Sequence, residues 1–407
     1  MEKAHHSRWS VAIGGIICQF CAGMIYSWSL YVNPLMAQNG WEKSSVTLTF
    51  SITTLLIPIL MIFAGRAMQK IGPRNTTLIG AVFLALGPAI SALASSLPML
   101  YLGYGVFCGI GVGFIYGVPI ATSVKWFPEK KGLISGLTVA GFGLGSIVFS
   151  PICTLLIESL GLSAAFFIQS GISLVGMIIG SSMLKTAPEG YRPEGWVPPV
   201  EQAGASSRDY TSSAMLRTQQ YWFLLIMYLF ANVAGLFVIG HASPIAQEIA
   251  SLTALQAGAI VSVLSIANTL GRFLGGAASD KLGAAKVITI IYAIDLLLFL
   301  CLRFMTGFVT IAIGIGGLAV CFGAMMGAYP SIVLDYFGGK HYSTNYAFVF
   351  LAYGIGGLVA NAVASMSMAY FDGYYTAFLI IGASCAIGCV MSRLSKKPTH
   401  SDVAQLQ

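Results

Sequence analysis

Long apolar runs dominate this chain of 407 residues, and short polar breaks separate them at fairly regular intervals. A helix needs roughly 20 apolar residues to cross a hydrocarbon core about 30 Å thick. By that measure the sequence predicts twelve transmembrane helices, called spans 1 to 12 below. They cover residues 9–35, 45–68, 76–96, 98–124, 132–157, 162–184, 219–248, 255–279, 285–304, 308–335, 345–371 and 374–393. The predicted fold class is an all-α membrane protein.

The composition supports this fold class. Only 9% of the residues are charged, whereas a soluble domain carries about 25%. The 47 glycines and 15 prolines lie largely within apolar runs, and transmembrane helices carry more of both than soluble helices do. The formal net charge of +7 does not indicate a nucleic-acid partner, because no basic stripe alternates with aromatic residues.

The positions of the basic residues predict an orientation in the membrane. With a cytoplasmic N-terminus, all but three of the 21 Lys and Arg residues fall on the cytoplasmic side. Lys43 and Arg303 fall on the opposite side, and Arg272 lies inside span 8. The positive-inside rule therefore predicts a multi-pass plasma-membrane protein with both termini in the cytoplasm. A signal peptide is not expected, because the first apolar run is too long and lacks a small-residue cleavage site.

The eight cysteines all lie in apolar spans. Cys18 with Cys21, and Cys385 with Cys389, have a helical spacing, but no histidine or acidic residue accompanies either pair. Packing is therefore favoured over metal binding. No metal or other cofactor is expected.

A long polar stretch divides the chain between spans 6 and 7. It covers residues 186–217, is rich in proline, serine and glycine, and is predicted to be a cytoplasmic linker. The expected organisation is a six-helix half at 1–185, a second six-helix half at 218–393 and a cytoplasmic tail at 394–407.

Two short segments recur at matching places in these halves. Gly65–Gly72, after span 2, recurs as Gly276–Gly283 after span 8, at an offset of 211 residues. Trp126–Lys130, after span 4, recurs as Tyr336–Lys340 after span 10. Two six-helix halves with the same orientation are the design of transporters whose substrate site lies between the halves, near the middle of the membrane.

The loop pattern Gly-x-x-x-Asp-Lys-x-Gly of the second copy resembles the short cytoplasmic loop of the major facilitator superfamily. The second copy carries the acid, Asp280, whereas the first copy has Gln69 where an acid is usual. The resemblance extends over essentially the whole chain. It implies the major facilitator fold, with twelve helices in two pseudo-symmetric halves.

Arg272 is the most informative single residue. It lies about mid-depth in span 8, where a guanidinium costs roughly 2.5–3.5 kcal/mol on insertion scales. The matching position of the first half is Met61, so the repeated fold does not itself require a cation there. Because a planar guanidinium fits a carboxylate through two parallel hydrogen bonds, we predict that Arg272 binds an anionic substrate. A structural salt bridge to Asp295 of span 9 is the alternative.

Three polar side chains are further candidates for the site. Asn268 lies one turn before Arg272 and either orients the guanidinium, donates to a substrate hydroxyl, or only bonds a neighbouring helix. His241, towards the outer end of span 7, is a candidate substrate ligand and proton carrier, or a histidine satisfied at a helix end. Asp295 is the second candidate proton carrier, because it is an acid deep within a span.

Tyrosines offer neutral hydrogen-bond donors to a substrate. Tyr116 in span 4 and Tyr329 in span 10 stand next to helix-breaking residues, and Tyr353 lies in span 11. Further candidates are Tyr26, Tyr31 and Tyr370. For each of them the competing interpretation is an aromatic residue of the core. The glycine runs, such as 109–113, lie inside predicted helices and indicate close helix packing rather than dinucleotide binding.

Three segments resemble one branch of the superfamily, the oxalate–formate antiporter and monocarboxylate transporter group. They are Tyr26–Pro34, Lys125–Gly132, and the pair Gly271-Arg272 ahead of the Asp280-Lys281 loop. The resemblance implies that Arg272 is the substrate-binding arginine of that group.

The chain departs from its two kinds of relative at charged positions. The oxalate–formate antiporter has a second cation on span 11, where this chain has Tyr353, and a single cation suits a monocarboxylate. Animal monocarboxylate transporters have an aspartate one turn before the arginine, where this chain has Asn268, and a lysine that span 1 lacks. Their proton relay therefore does not carry over. His241, Asp295 or the substrate itself would have to carry the proton.

The sequence thus predicts a secondary active transporter that moves a small monocarboxylate of the lactate or pyruvate type by proton symport with alternating access. The alternative is a carboxylate exchanger of the oxalate–formate antiporter type. A transporter-like receptor belongs to a different class, and the lack of an appended soluble domain argues against it. An enzyme is not expected, because the spans hold no paired carboxylates, no cluster of metal-type histidines and no nucleophile beside a base.

Overall fold

The computed structural model describes residues 8–188, 191–193, 209–371 and 373–398. Within these ranges the regular structure is entirely helical, which confirms the predicted fold class. Parts of the predicted linker at 186–217 and of the predicted tail at 394–407 lie outside the described residues.

The helices up to the linker are α1 to α7. They are α1 (Arg8–Gly23), α2 (Trp28–Asn39), α3 (Lys43–Ala92), α4 (Leu97–Leu100), α5 (Cys108–Trp126), α6 (Lys131–Leu160) and α7 (Leu162–Met183). A 3₁₀ turn, Met24–Ser27, joins α1 to α2, and a π-helix, Tyr101–Phe107, joins α4 to α5. Span 1 therefore consists of two α-helices joined by a 3₁₀ turn, which is wound more tightly than an α-helix. Span 4 contains a π-helix near its start, which is wound more loosely.

The long helix α3 contains both span 2 and span 3. Its Gly72 has φ 78° and ψ 169°, a backbone conformation that only glycine adopts readily. The chain therefore leaves the helical path at Gly72, and proline follows as residue 73 to begin the next segment. The described residues contain eleven long apolar helical stretches when Ser45–Ala92 is counted as one, and the division of that stretch at Gly72 into spans 2 and 3 gives the predicted twelve.

The helices after the linker are α8 to α14. They are α8 (Ser212–Leu216), α9 (Gln219–Ala250), α10 (Ala254–Leu282), α11 (Ala284–Leu302), α12 (Phe308–Phe337), α13 (Tyr342–Phe371) and α14 (Tyr375–Leu394). Spans 7 to 12 correspond to α9 to α14. Thr218 and Thr253 cap the first turns of α9 and α10, and each hydroxyl accepts a backbone N–H.

The chain forms two compact units. Unit one comprises Met1–Glu129, Thr138–Ser207 and His341–Phe348. Unit two comprises Lys130–Leu137, Arg208–Lys340 and Val349–Gln407.

Each unit has an aromatic core of its own. In unit one the rings of Tyr31 and Phe166 stack with centroids 4.0 Å apart. In unit two the rings of Tyr228 and Tyr329 stack with centroids 3.9 Å apart. All four side chains are fully buried, and offset or parallel contacts between such rings add to the free energy of burial.

Apolar side chains also cover much of the outer surface. On α11 the residues Ile294, Leu297 and Leu300 are exposed, whereas Tyr292 and Phe299 are buried. A surface of this kind would be unfavourable in water and suits the hydrocarbon core of a bilayer. The exposed apolar faces therefore agree with the predicted membrane insertion.

The two copies of the repeated loop make different contacts. Asp280 of the second copy accepts hydrogen bonds from the backbone N–H groups of Gly132 at 2.7 Å and Leu133 at 2.6 Å. It thereby caps the start of α6, where free N–H groups and the helix dipole favour a negative charge. Gln69 of the first copy instead lies 3.1 Å from Nδ1 of His341. Because the first copy has Gln69 where the second copy has Asp280, its contact is made by a neutral side chain instead of a charged one.

Candidate functional site

Arg272 is almost completely buried, with 3% of its surface exposed. It lies past the middle of α10, and its Nε donates a hydrogen bond to Oδ1 of Asn268 at 3.2 Å. A buried guanidinium keeps its charge, because arginine cannot be deprotonated in proteins. The structure therefore places a permanent positive charge inside unit two.

Asn268 uses both ends of its amide group. Oδ1 accepts from Arg272, and Nδ2 donates to the carbonyl oxygen of Ala319 on α12 at 3.3 Å. Because the two partners require opposite ends of the amide, they also determine which way the side chain faces. Of the roles left open by the sequence, this geometry favours the orientation of the guanidinium.

Glycines hold the arginine-bearing segment of α10 against α12. A Cβ atom at Gly323 would overlap the carbonyl oxygen of Asn268 and lie 2.9 Å from the backbone nitrogen of Arg272. A Cβ at Gly327 would overlap the carbonyl oxygen of Arg272, and one at Gly275 would overlap Ala324. Small residues let helix backbones approach this closely in membranes. Arg272 therefore projects from a segment whose backbone has little room to move.

Asp295 lies in the buried stripe of α11 and is 3% exposed. Its carboxyl group lies next to the thiol of Cys321 on α12. Among the described residues, no ion pair joins Asp295 to Arg272. The structure thus does not support the salt bridge that the sequence left open as an alternative.

His241 lies on α9 and contacts Phe237 and Tyr374. Its Nδ1 is 3.0 Å from the carbonyl oxygen of Phe237, one turn earlier, and because a carbonyl only accepts, this nitrogen carries the proton. The imidazole stacks on the Phe237 ring and meets the edge of the Tyr374 ring at 5.7 Å between centroids.

Tyr329 and Tyr353 belong to one aromatic row in unit two. Tyr329 stacks on Tyr228, whose ring lies 6.0 Å from that of Phe350, and Phe350 stacks on Tyr353 at 5.0 Å. The Tyr329 hydroxyl donates to the carbonyl oxygen of Leu224 at 3.4 Å, and the residue has no exposed surface. These contacts favour the core interpretation for Tyr329. Tyr353 retains slight exposure, 6%.

Tyr116 and Tyr26 lie in unit one on either side of Phe142. The ring of Tyr116 meets that of Phe142 at 5.4 Å, and the ring of Tyr26 meets it at 4.9 Å, both edge to face. Tyr116 is buried, and its backbone carbonyl accepts a hydrogen bond from Gln19 at 2.7 Å. This arrangement presents two phenol groups on α5 and on the turn between α1 and α2.

The other two tyrosines have simpler surroundings. Tyr31 is fully buried, and its hydroxyl donates to Oε1 of Gln169 at 2.8 Å. Tyr370 is 77% exposed near the end of α13. The first is therefore placed in the core of unit one and the second on the outer surface.

Several contributors to the site have no distinctive signal in the sequence. Cys321 and Ala319 meet Asp295 and Asn268 through contacts between helices, and Tyr228 joins the aromatic row in the same way. Their positions in apolar runs distinguish them from no other small or aromatic residue of the spans. No group of three or more His, Cys, Asp or Glu residues that could hold a metal ion occurs in the part of the chain that is described.

Comparison with protein families decides the relationship that the repeated loops suggest. Residues 15–333 match the model of the Major Facilitator Superfamily, which is well over half of the chain. The chain belongs to the major facilitator superfamily.

Three relatives of known sequence narrow the group within the superfamily. The uncharacterized MFS-type transporter YhjX of Escherichia coli is 37% identical over 358 residues, covering 86% of each chain. The oxalate:formate antiporter of Oxalobacter formigenes is 28% identical and covers 95% of this chain and 91% of its own. Human monocarboxylate transporter 12 is 23% identical and covers 98% of this chain and 82% of its own. The predicted resemblance to that group is confirmed.

The fold agrees with a solved structure of the superfamily. FucP, crystallised in an outward conformation, superposes with a TM-score of 0.74 at 16% identity, covering 95% of this chain and 99% of FucP. At that level of identity the likeness supports the fold alone. This member of the superfamily is a multi-pass membrane transporter of the oxalate:formate antiporter and monocarboxylate transporter type, a group that is generally non-enzymatic.

Proposed function

We propose that this transporter moves a small monocarboxylate, such as lactate or pyruvate, together with a proton. The observation that carries the proposal is the buried guanidinium of Arg272, which Asn268 holds through Nε. A fixed cation of this kind in a dry environment attracts one carboxylate, which can accept two parallel hydrogen bonds from the guanidinium. The short apolar remainder of such a substrate suits the apolar residues of the spans.

The number of cations supports a monocarboxylate over a dicarboxylate. Helix α13 contains no Lys or Arg, and Tyr353 occupies the position at which the oxalate–formate antiporter has its second cation. One carboxylate bound to Arg272 gives a neutral pair, whereas a dianion would leave a net negative charge in a region of low dielectric. In unit two, Tyr353 is the proposed neutral donor to the substrate, and His241 and Asp295 are the candidate proton carriers.

The proposed setting is the plasma membrane, with both termini in the cytoplasm. The distribution of lysine and arginine residues supports this orientation.

Uptake of labelled L-lactate into proteoliposomes, with and without an inward-acid pH gradient, tests the proposal. Wild-type protein should accumulate lactate under the gradient, and Arg272→Ala should lose uptake because the anion has no counter-charge. Arg272→Lys should also be impaired by about tenfold or more, since an ammonium lacks the planar fork. Arg74→Ala, which removes an exposed arginine, is the matched control and should transport normally. Uptake by Arg272→Ala at unchanged lactate affinity would contradict the assignment.

An exchanger of the oxalate–formate antiporter type is the second candidate, because that antiporter is similar over 95% of the chain. An exchanger requires internal carboxylate and no pH gradient. Lactate or formate uptake that appears only after preloading with a carboxylate would therefore replace proton symport with exchange.

A further inference from the structure

Three buried polar residues of the second half have no polar counterpart in the first half. At the repeat offset of 211, Arg272, Asn268 and Asp295 correspond to Met61, Ile57 and Leu84. All three counterparts are buried and apolar. The fold can therefore be built at these positions without any polar side chain.

Cys321, which lies next to Asp295, also has no polar counterpart in the first half. In the first half, Gly111 lies against Leu84, because a Cβ atom at Gly111 would lie 2.8 Å from Cβ of Leu84. In the second half, Cys321 lies next to Asp295. The offset between Gly111 and Cys321 is 210, as it is for the loops after spans 4 and 10. The contact between a glycine and a leucine in the first half therefore corresponds to a contact between a cysteine and an aspartate in the second half.

Asp295 is buried and has no ion-pair partner among the described residues. Its electrostatic neighbours among the described residues are Cys321 on α12, Cys385 on α14 and Tyr292 on its own helix. None of these side chains carries a positive charge, and α10, the third helix packed against α11, adds no titratable neighbour among them. An ionised carboxylate buried without a cation is costly, and protonation removes that cost.

The line of contacts leads from Asp295 to Arg272 across α12. Cys321 meets Asp295 on one face of α12, and two residues earlier the carbonyl of Ala319 accepts from Asn268. Asn268 in turn accepts from Nε of Arg272. A change in the charge of Asp295 therefore acts on the same helix that orients the guanidinium.

We infer that Asp295 carries the proton that accompanies the carboxylate. It takes up a proton from the aqueous side on which Arg272 binds the substrate, and it releases the proton on the side where the substrate leaves. This inference rests on the proposed function and identifies which of the two candidate groups couples it to protons. It also distinguishes this chain from monocarboxylate transporters, whose acid lies one turn before the arginine.

The charges of the two residues give a reason for this pairing. In the loaded transporter, Arg272 (+1), the carboxylate (−1) and a protonated Asp295 (0) sum to zero. In the empty transporter, Arg272 (+1) and an ionised Asp295 (−1) also sum to zero. Binding of either the anion or the proton alone leaves a net charge in a low-dielectric interior, which opposes reorientation. One proton per carboxylate is the expected ratio.

The test compares Asp295→Asn with wild type in proteoliposomes that contain the full chain. In a lactate counterflow assay at equal pH on both sides, no net proton movement is needed, and we expect Asp295→Asn to exchange lactate. Under an inward-acid gradient its accumulation of lactate should fall by about tenfold or more, because the coupling to protons is lost. Glu158→Gln, the same change at an exposed acid near the end of α6, is the matched control and should leave both readouts unchanged.

Two further measurements keep the inference testable if Asp295→Asn is poorly folded or if lactate is not a substrate. Asp295→Glu retains the acid and should accumulate lactate under the gradient. In infrared spectra of the purified protein, an absorption of a buried protonated carboxyl group should appear as the pH is lowered, and Asp295→Asn should remove it. Wild-type protein that moves no short acid in either assay would contradict the proposed function, and the infrared result would then decide the state of Asp295. Gradient-driven accumulation by Asp295→Asn at the wild-type level, or absence of the infrared band, would overturn the inference.

Discussion

Arg272 and Asn268 show how one side chain prepares another for binding. The guanidinium could adopt many orientations on its flexible stem, and fixing one of them when the substrate binds would cost conformational entropy. Asn268 restricts them, because its amide is itself held by the backbone of α12. The resulting arrangement resembles a pre-organised site, in which the ordering has already occurred before the ligand arrives.

Replacing Asn268 with aspartate tests this arrangement. An ionised carboxylate next to Nε would compete with the substrate for Arg272, so lactate affinity at neutral pH should fall by about tenfold, as expected for a charge-assisted hydrogen bond. Acidification would protonate the new side chain and restore binding, so uptake should recover as the pH falls. Initial rates of lactate uptake across a pH series measure both effects.

The control for this substitution is Asn268→Leu, which removes the amide without adding a charge. It should weaken uptake at every pH without recovery in acid. If Asn268→Asp transports like wild type at neutral pH, Asn268 does not lie against the binding edge of the arginine.

At the scale of helices, the contact between α10 and α12 depends on glycine. Gly323 and Gly327 of α12 lie against the backbone of the Asn268–Arg272 segment, and Gly271 and Gly275 of α10 lie against α12 in return. The absence of side chains brings the two backbones together, so the position of Arg272 is determined by the backbone rather than by flexible packing.

The substitution Gly323→Ala should disrupt this contact. Its methyl group would overlap the carbonyl of Asn268, and overpacking of this kind typically costs about 1–3 kcal/mol. Thermal unfolding in detergent and lactate uptake should both be impaired. Gly316→Ala on the same helix, whose methyl would meet only Val263 at 3.4 Å, should be close to neutral. Equal behaviour of the two variants would show that the close approach at Gly323 does not matter.

At the scale of the whole molecule, the asymmetry of lysine and arginine indicates how the chain lies in the membrane. Arg303 follows α11 at one end of that helix, and the basic loops near Lys70, Lys130 and Lys281 lie at the ends of helices that face the opposite side in the predicted topology. The orientation proposed for this transporter therefore depends on charges in loops, which the helical core does not constrain.

Reporter fusions test the orientation in a bacterial host. Alkaline phosphatase fused after Phe304 should be active, because that loop is expected outside the cytoplasm, where the reporter can form its disulfides. The same reporter fused after Leu394 or after Lys185 should be inactive. Activity of the Leu394 fusion would contradict a cytoplasmic C-terminus.

The sequence alone determined the features that depend on local composition and on repetition. Apolar length predicts the spans, and the two copies of the loop, at Gly65–Gly72 and Gly276–Gly283, predict the superfamily. Arg272 stood out because a charge in an apolar run is costly wherever its helix packs. These features can be recognised without knowing which helices are neighbours.

Only the tertiary structure decided which side chains meet. It showed that Asn268 is bonded at both ends, that Tyr329 lies in a core stack, and that Asp295 contacts Cys321 rather than an arginine. Such contacts depend on the rotation and depth of each helix against its neighbours. Those quantities are set by close packing of many small and apolar side chains, and no local pattern in an almost uniformly apolar span encodes them.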